Sequence, residues 1–460
     1  MAAAQDSVEQ AVGSLILAAA GTGMAVDLAA MFREDPLKAE IAFRDRFRDL
    51  ACSILRNAFE RIDDQGVSLH VGGEAYRKVE ASTGRAMTLF GPVEYNRSRY
   101  QPSGGGAALF PTESVLGLTE CGLTPAAAGL SLVFMSHLTA RESEDAWERL
   151  CGRGPSASSL VRMASEAGRR FEARSRQLMA ELRAEEEIHK DAVALLVSLD
   201  GVMVRMHAET GDGQEVEAGW REVSTGVVAM LDAEGNMVQV RYFGRLPEPG
   251  KASLKSQVSQ EVFHCLGRRE DLKVVAIADA AKDNWTFHDT FCPDVMLIDF
   301  WHSAQHLKVA ADAAFGPDDA AGTAWFEKWR HILRHDPKGD GKVIDALRHL
   351  MRKETGRADI ARELAIFRNN RKRMHYRHVA DAGDPIGSGA VGSGNRMLVT
   401  QRLKRSGQRS GRDGGQGVLT FRALLKSGRL DRAWSMLAMS WQPWKPPTTA
   451  NDNRNLELAA

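Results

Sequence analysis

The chain has 460 residues, 43% of them hydrophobic and 7% aromatic, and its 60 Lys and Arg residues balance 60 Asp and Glu residues. This composition predicts a soluble globular protein of more than one domain and excludes a disordered chain, a collagen and a disulfide scaffold. The five cysteines are scattered without a Cys-x-x-Cys pair, which excludes a zinc ribbon and a thioredoxin-like redox motif and favours a reducing compartment.

The N-terminal region, residues 1–123, is predicted to be helical to about residue 65 and to continue with a small β-hairpin. Residues 12–24 are apolar, but glycines interrupt them and no Lys or Arg precedes them. We therefore expect neither a secretory signal nor a membrane span. Two strand-like runs flank Gly91-Pro92, and they predict the hairpin.

Residues 124–190 are predicted to form a helix-turn-helix-like DNA-binding region followed by a linker helix. A plain helical bundle fits the same apolar spacing. Arg162 and Arg169 fall outside the apolar face of the third helix, so they are candidates for reading bases in a major groove. The three helices are expected at about 126–137, 140–151 and 157–187.

Residues 191–307 change to strand-like sequence. The predicted order is three meandering strands, helix, strand, helix, strand and helix. This order predicts an α/β fold with a ribonuclease-H-like mixed sheet and helices packed on its faces. Residues 308–380 follow as a helical insertion. The strands are expected at 192–200, 225–231, 237–243, 273–278 and 294–299.

Two carboxylates end predicted strands of this sheet. Asp200 closes the first strand and Asp279 closes the fourth, so parallel pairing would bring both to one sheet edge. Two adjacent carboxylates repel each other unless a cation lies between them, and hard oxygen ligands favour Mg²⁺ or Mn²⁺. Taken alone, either aspartate also fits a helix N-cap or a turn.

The C-terminal part is basic. Residues 361–440 hold sixteen Lys or Arg and five Asp or Glu, an excess of eleven positive charges. Such a block fits binding to DNA phosphates, and a solvated basic helix face is the alternative. Residues 381–440 are predicted as the last core helix region, and residues 441–460, rich in proline, as a disordered tail. The expected contacts to the DNA backbone are Arg396, Arg402, Lys404, Arg405 and Arg409.

Several motifs resemble those of bacterial insertion-sequence transposases of the DDE type, in particular the Kra-type group related to Mutator-like elements. The resemblance implies a ribonuclease-H-like core and cleavage of element ends with strand transfer, dependent on Mg²⁺ or Mn²⁺. It implies that Asp200 and Asp279 are the first two catalytic acids and metal ligands, with supporting roles for Asp299 and His302. The motifs are Ser198-Leu-Asp-Gly201, Ile277-Ala-Asp-Ala280, Asp299-Phe-Trp-His302, Pro385-Ile-Gly-Ser-Gly389 and Gln401-Arg-Leu-Lys-Arg-Ser-Gly407.

The third catalytic acid is missing from its expected position. The family typically has Glu three residues after Pro-Ile-Gly-Ser-Gly, and this chain has Gly392 there. Asp384 and Asp381 are possible substitutes, but both precede the glycine-rich turn. His302 and His306 could instead form a zinc pair at i and i+4, although no third nitrogen or sulfur ligand is apparent.

The sequence supports three hypotheses. The first is an insertion-sequence transposase, impaired at position 392, that acts on element terminal repeats and target DNA. The second is a catalytically silent descendant that recognises element ends without cutting, and the third is a metal-dependent nuclease. For either DNA-pairing protein we expect a homodimer on DNA, without a membrane partner, in the cytoplasm at the nucleoid.

Overall fold

The computed structural model describes residues 24–63, 66–71, 74–102, 104–211, 214–352, 357–387, 389–405, 411–441 and 455–456. The chain forms two compact units. The region predicted as residues 124–190 is divided between them. The first unit comprises Met1–Leu130, Ala140–Leu160 and Ala438–Ala460, and the second comprises Ser131–Thr139 and Val161–Leu437.

The first unit begins with two helices, α1 (Met24–Glu34) and α2 (Pro36–Arg61). Asp35 caps α2 by accepting a hydrogen bond from the Lys38 amide at 3.1 Å, and Pro36 occupies the first helical position, where no amide donor is needed. Five strands and a helix follow: β1 (Ser68–Val71), β2 (Glu74–Lys78), β3 (Ser82–Thr88), β4 (Gly91–Arg97), β5 (Tyr100–Pro102) and α3 (Pro111–Leu116).

The hairpin predicted around Gly91-Pro92 is confirmed. Strands β3 and β4 pair antiparallel, with Thr88 opposite Gly91. Gly91 has φ +117°, a conformation that L side chains rarely adopt, and this explains the glycine at the turn. A separate sheet contains β1, β2, β5 and the two-residue strand Asn455–Leu456, which pairs with β1 inside the segment predicted as a disordered tail.

The apolar face of α2 is only partly covered. Phe59 is buried against Ala86, Val93 and Tyr95. By contrast, several apolar residues whose spacing indicated the helix are 41–52% exposed. A helical period therefore identified the helix but not which of its residues are buried. The exposed residues are Ile41, Phe43, Phe47, Leu50 and Ile54 of α2, and Phe32 of α1 is exposed to a similar extent.

The three helices expected between residues 126 and 187 are present, and their bounds agree with the prediction to within two residues. The helices are α4 (Pro125–His137), α5 (Ala140–Cys151) and α6 (Ala157–Glu185).

The second unit contains a mixed five-stranded sheet, so the predicted α/β class is confirmed. Its order is β10-β9-β6-β11-β12. The first three strands pair antiparallel, and β6, β11 and β12 pair parallel. The central strands are continuous apolar runs because helices cover both faces. The strands are β6 (Ala194–Met206), β9 (Gly219–Leu231), β10 (Met237–Arg245), β11 (Lys273–Ala278) and β12 (Val295–Ile298), with β7 (Glu209–Gly211) and β8 (Gln214–Val216) between β6 and β9.

Helices surround this sheet and follow it along the chain. A π-helical turn, Arg396–Thr400, interrupts the segment after the glycine-rich motif. No helix in the described part of the chain is both long enough and apolar enough to span a membrane. The helices are α7 (Ala252–Arg268), α8 (Lys282–His288), α9 (Phe300–Phe315), α10 (Ala320–His335), α11 (Gly339–Leu350), α12 (Arg357–Asn369), α13 (Tyr376–Asp381), α14 (Gly389–Asn395), α15 (Gln401–Leu403), α16 (Arg412–Lys426) and α17 (Leu430–Ala438).

A buried ionic network joins α6, α7 and the segment before α17. The Arg429 side chain is 2% exposed and donates to both carboxylate oxygens of Glu261, at 2.6 and 3.0 Å. It also donates to Glu186, at 2.7 and 2.8 Å, and Arg241 donates to the same Glu186 carboxylate. These buried charges are therefore paired, as burial requires.

Candidate active site

Three aspartates lie level with one another on adjacent parallel strands. Val197 of β6 pairs with Ala276 of β11, and continuing this register by three residues places Asp279 beside Asp200. Ala278 pairs with Ile298 of β12, so the next residues, Asp279 and Asp299, are also level. The register thus forms a row of three carboxylates, in strand order Asp200, Asp279 and Asp299, along one edge of the sheet.

Asp200 is half-buried, and both of its carboxylate oxygens accept hydrogen bonds. Oδ1 accepts from the Gly201 amide at 2.7 Å, and Oδ2 accepts from the Asn395 side-chain amide. Burial raises the pKa of Asp200, the Gly201 amide and His302 lower it, and the negative charge of Asp279 raises it further. Asp200 and Asp279 therefore repel each other, which is the electrostatic condition for sharing a cation.

Asp279 lies in a turn between β11 and α8. Its Oδ1 accepts hydrogen bonds from the Ala281 amide at 2.9 Å and from the Asn284 side-chain amide at 2.9 Å. Its backbone carbonyl accepts from the Trp285 indole at 2.8 Å. The start of α8 thus fixes the orientation of this carboxylate. A role of Asp279 in the turn is therefore compatible with a role as a metal ligand.

Asp299 caps α9 and is 2% exposed. Its Oδ1 accepts from the backbone amides of Trp301 and His302, at 2.6 and 3.1 Å. The capping bonds hold His302 in the first turn of α9, where it is half-buried and contributes to the electrostatic environment of Asp200. The geometry gives Asp299 a role in positioning α9 and His302.

His306 binds the helical insertion. Its Nδ1 lies 2.7 Å from Oε2 of Glu363, whose side chain is 4% exposed and belongs to α12. His302 and His306 therefore have different environments, although they are only one helical turn apart. The structure therefore favours a structural role for His306 over the alternative of a zinc pair.

The glycine-rich motif lies next to the row of aspartates, although it follows them at a long distance in the sequence. The Phe300 amide donates to the Ile386 carbonyl at 3.1 Å, and a Cβ built on Gly387 would lie 3.7 Å from Asp299 Oδ2. Farther on, Asn395 donates to Asp200 and accepts a hydrogen bond from the Thr225 hydroxyl. Helix α14 is therefore attached directly to the first carboxylate of the row.

Gly392, the third-acid position, lies one turn before Asn395 on the same face of α14. It is exposed, and a Cβ built on it meets no atom of the described residues within 4 Å. The position is thus close in the fold to Asp200 and has room for a longer side chain.

The two possible substitutes for the third acid pair with basic residues elsewhere. Asp384 binds the ammonium group of Lys273, the first residue of β11, whereas Asp279 follows the last residue of that strand. Asp381 accepts from Arg377 at 2.7 Å, one turn earlier in α13. In this arrangement neither carboxylate joins the row of aspartates.

One of the arginines predicted to contact the DNA backbone, Arg402, is buried in the fold. Arg402 is 4% exposed, and its Nε donates to the Met135 carbonyl at 2.7 Å. Arg422 is also buried and donates to the Ser136 carbonyl. Both carbonyls belong to the last turn of α4, which has no further helical donors, so these arginines satisfy that helix end. The prediction that Arg402 contacts DNA is wrong for this conformation.

The other predicted DNA contacts differ in exposure. Arg396 is exposed in the π-helical turn, and Arg169 is 57% exposed, with Asp413 at 3.8 Å. Lys404 is exposed, and its ammonium lies 5.7 Å from the centre of the exposed Trp220 ring. Arg162 is exposed on α6, Arg405 donates to the Gln401 carbonyl at 3.1 Å, and Arg409 lies outside the described residues.

Sequence reasoning missed the residues that hold the carboxylates. Asn395 and Asn284 each bind a row aspartate, and nothing in their local sequence sets them apart from surface asparagines. His288, four residues after Asn284 on α8, is completely buried, and neither ring nitrogen has a hydrogen-bond partner in the described part of the chain. Burial lowers the pKa of His288 to about 4, and the charge of Asp279 opposes that shift.

The carboxylates at this edge of the sheet fit part of a divalent cation site. Asp200 and Asp279 are half-buried carboxylates on adjacent strands, a suitable pair of ligands for Mg²⁺ or Mn²⁺. Within the described residues, however, no three His, Cys, Asp or Glu side chains are grouped so as to hold a metal ion. A carboxylate at position 392 would supply the third member.

No protein-family model matches the chain, and no curated protein matches it. Among solved structures, the chain is similar to the Drosophila P element transposase strand transfer complex. The identity is 11%, the match covers 74% of this chain and 83% of that chain, and the TM-score is 0.25. A similarity at this level does not establish a family, and the function of this chain has to be argued from its own site.

Proposed function

We propose that the chain is a transposase of the DDE type, or a recent descendant of one, whose active site lacks its third acid. The observation that carries the proposal is the row of Asp200, Asp279 and Asp299 on adjacent parallel strands, with α14 attached to Asp200 through Asn395. The strand order β10-β9-β6-β11-β12 fits the ribonuclease-H-like core that the sequence motifs imply.

The chain's own residues have distinct tasks in this proposal. Asp200 and Asp279 would hold Mg²⁺ or Mn²⁺, and the metal would activate the attacking hydroxyl and stabilise the leaving oxygen. Asn395 and Asn284 orient the two carboxylates by their hydrogen bonds. Exposed Arg396 and Lys404, which follow α14 in the chain, would bind the phosphate backbone of the element end.

The test compares the chain with Gly392→Glu in a Mg²⁺- or Mn²⁺-dependent cleavage assay on DNA that carries the element's own termini. We expect Gly392→Glu to raise cleavage by at least 100-fold, because removing one such transition-state charge typically costs several kcal/mol. The substitution should fold normally, since position 392 is open.

Two controls separate a repaired site from a general effect of charge. Gly267→Glu adds the same carboxylate at another exposed, open helical glycine, and we expect no gain. Adding Asp200→Ala to Gly392→Glu should abolish the cleavage. Cleavage by Gly392→Glu that survives Asp200→Ala would contradict the proposal.

A second candidate is a catalytically silent protein that binds element ends. It is favoured by Gly392 and by the hydrogen bonds to both oxygens of Asp200 from groups within the protein. The same assay discriminates: if the unmodified chain binds the ends and does not cut, while Gly392→Glu cuts, the chain acts through DNA binding alone.

A further inference from the structure

A polar cavity of about 410 Å³ lies in the second unit, between α6, the end of β10 and the start of α7. Three arginines line it: Arg176, Arg183 and Arg245. The acidic side chain among its described lining residues is Glu172. The lining therefore has an excess of two positive charges.

Arg245 has a donor that the protein does not satisfy. The residue is 7% exposed, and its Nη1 forms an ion pair with Glu172 Oε2 at 2.7 Å. Its Nε is buried and has no hydrogen-bond partner among the described residues. An unsatisfied N–H on a buried guanidinium costs free energy, and the single Glu172 carboxylate leaves this side chain incompletely satisfied at the wall of the cavity.

Arg183 and Arg176 add charge that is only weakly compensated. Arg183 is 7% exposed, and its Nη1 lies 3.8 Å from Glu261, whose carboxylate is held mainly by Arg429. Burial lowers the pKa of Arg183, as expected for a cation with incomplete compensation. Arg176 is exposed, and no described carboxylate lies within ion-pair distance of it.

We propose that this cavity binds a phosphate group. Three guanidinium groups that line one cavity are suited to the several oxygens of a phosphate, and an excess of two positive charges matches a phosphate dianion. Ser256 and Gln257 of α7 also line the cavity and add neutral donors. The phosphate belongs either to a free phosphorylated molecule or to a DNA backbone, and this site is separate from the row of aspartates.

The proposal is tested by titrating inorganic phosphate into the full chain, measured by isothermal titration calorimetry. We expect one saturable site, with affinity weakened about 10- to 100-fold by Arg176→Gln or Arg245→Gln, because each substitution removes a charged hydrogen bond. Arg348→Gln removes one exposed positive charge from α11 and should leave the affinity within about twofold. If Arg245→Gln does not fold, the exposed Arg176→Gln still decides the test.

The source of the phosphate is distinguished by competition with duplex DNA. Displacement of bound phosphate by duplex in the unmodified chain, but not in Arg176→Gln, would assign the cavity to the DNA backbone. Phosphate binding that resists duplex, together with tighter binding of pyrophosphate, would assign it to a free phosphorylated molecule. The absence of saturable phosphate binding, or unchanged affinity in both arginine variants, would overturn the proposal.

Discussion

Asp200 combines a position suited to catalysis with a cost in stability. Burial raises its pKa, so the folded protein holds the proton more tightly than the unfolded chain does. The free energy of unfolding therefore falls as the pH rises from the ordinary aspartate pKa through the raised one, and the full cost of burying the charge remains at neutral pH.

We predict that Asp200→Asn raises the melting temperature at pH 7 and abolishes any cleavage activity. The amide has no charge to bury and retains an acceptor for the Gly201 amide. Thermal unfolding at pH 7 without divalent cations is the measurement, with the exposed Asp191→Asn as the control. A lower melting temperature for Asp200→Asn would contradict the argument from burial.

His288 is expected to make the protein sensitive to acid. Its folded pKa is about 4 against an ordinary value of 6.5, so the unfolded chain binds the proton more readily. The contribution of the neutral His288 to the free energy of unfolding is fully present above pH 6.5 and is lost as the pH falls toward 4. The difference of about 2.5 pK units corresponds to roughly 3 kcal/mol.

We predict that His288→Phe, in a pocket with Trp285 and Phe287, removes this loss between pH 7 and pH 4. The measurement is urea unfolding at a series of pH values. The exposed His207→Gln should retain the wild-type dependence on pH. The same change in the free energy of unfolding with pH in the wild type and in His288→Phe would show that His288 does not titrate in this range.

At the scale of elements, the segment from α14 to α15 shows why regular helical spacing does not predict the burial of Arg402. The π-helical turn Arg396–Thr400 contains one residue more than an α-helical turn would, so the side chains after it rotate by about 100° relative to an uninterrupted helix. A regular α-helix assumed from the sequence places Arg402 on a different face from the one that it occupies in the structure. Sequence spacing alone does not reveal this turn.

We predict opposite consequences for two neighbouring substitutions in this segment. Arg402→Met should lower the free energy of unfolding by about 1–3 kcal/mol, because it leaves the Met135 carbonyl without its donor. Lys404→Gln should leave stability within about 0.5 kcal/mol and reduce the salt dependence of DNA binding by about one phosphate contact. Urea unfolding and DNA binding at several salt concentrations check both.

The strands were predictable where apolar residues run continuously, as in β11, because burial on both faces leaves a local signal. The extension of β6 beyond Asp200 was not predicted, since Gly201 resembles a strand end and the following residues alternate between buried and exposed. The positions of Asp200 and Asp279 followed from parallel pairing. The contacts of Asn395 and Asn284 depend on tertiary structure and have no local signature.

For the whole molecule, the balance of charges is a structural property. Much of the positive excess of residues 361–440 is neutralised by acids from other parts of the chain. Arg429 binds Glu186 and Glu261, and Arg432 binds Glu185 at the end of α6. Because these ion pairs engage basic side chains, fewer basic residues remain for DNA than the sequence count suggests.

We predict that Glu261→Gln lowers the free energy of unfolding by roughly 3–5 kcal/mol, because it leaves Arg429 buried with half of its partners. Chemical denaturation measures the loss. The exposed Glu234→Gln, between β9 and β10, should change stability by no more than about 0.5 kcal/mol. A loss for Glu261→Gln as small as that of the control would show that the network contributes little.

The open space around Gly392 also has a genetic consequence. Glycine codons GGA and GGG become glutamate codons by one transition at the second base, and no neighbouring side chain has to change to admit the new one. Under the proposed function, a glutamate at this position is therefore a single mutational step away. A population that carries the gene with such a codon would regenerate the complete acid triad at the ordinary rate of point mutation, without the compensating changes that a buried position would demand.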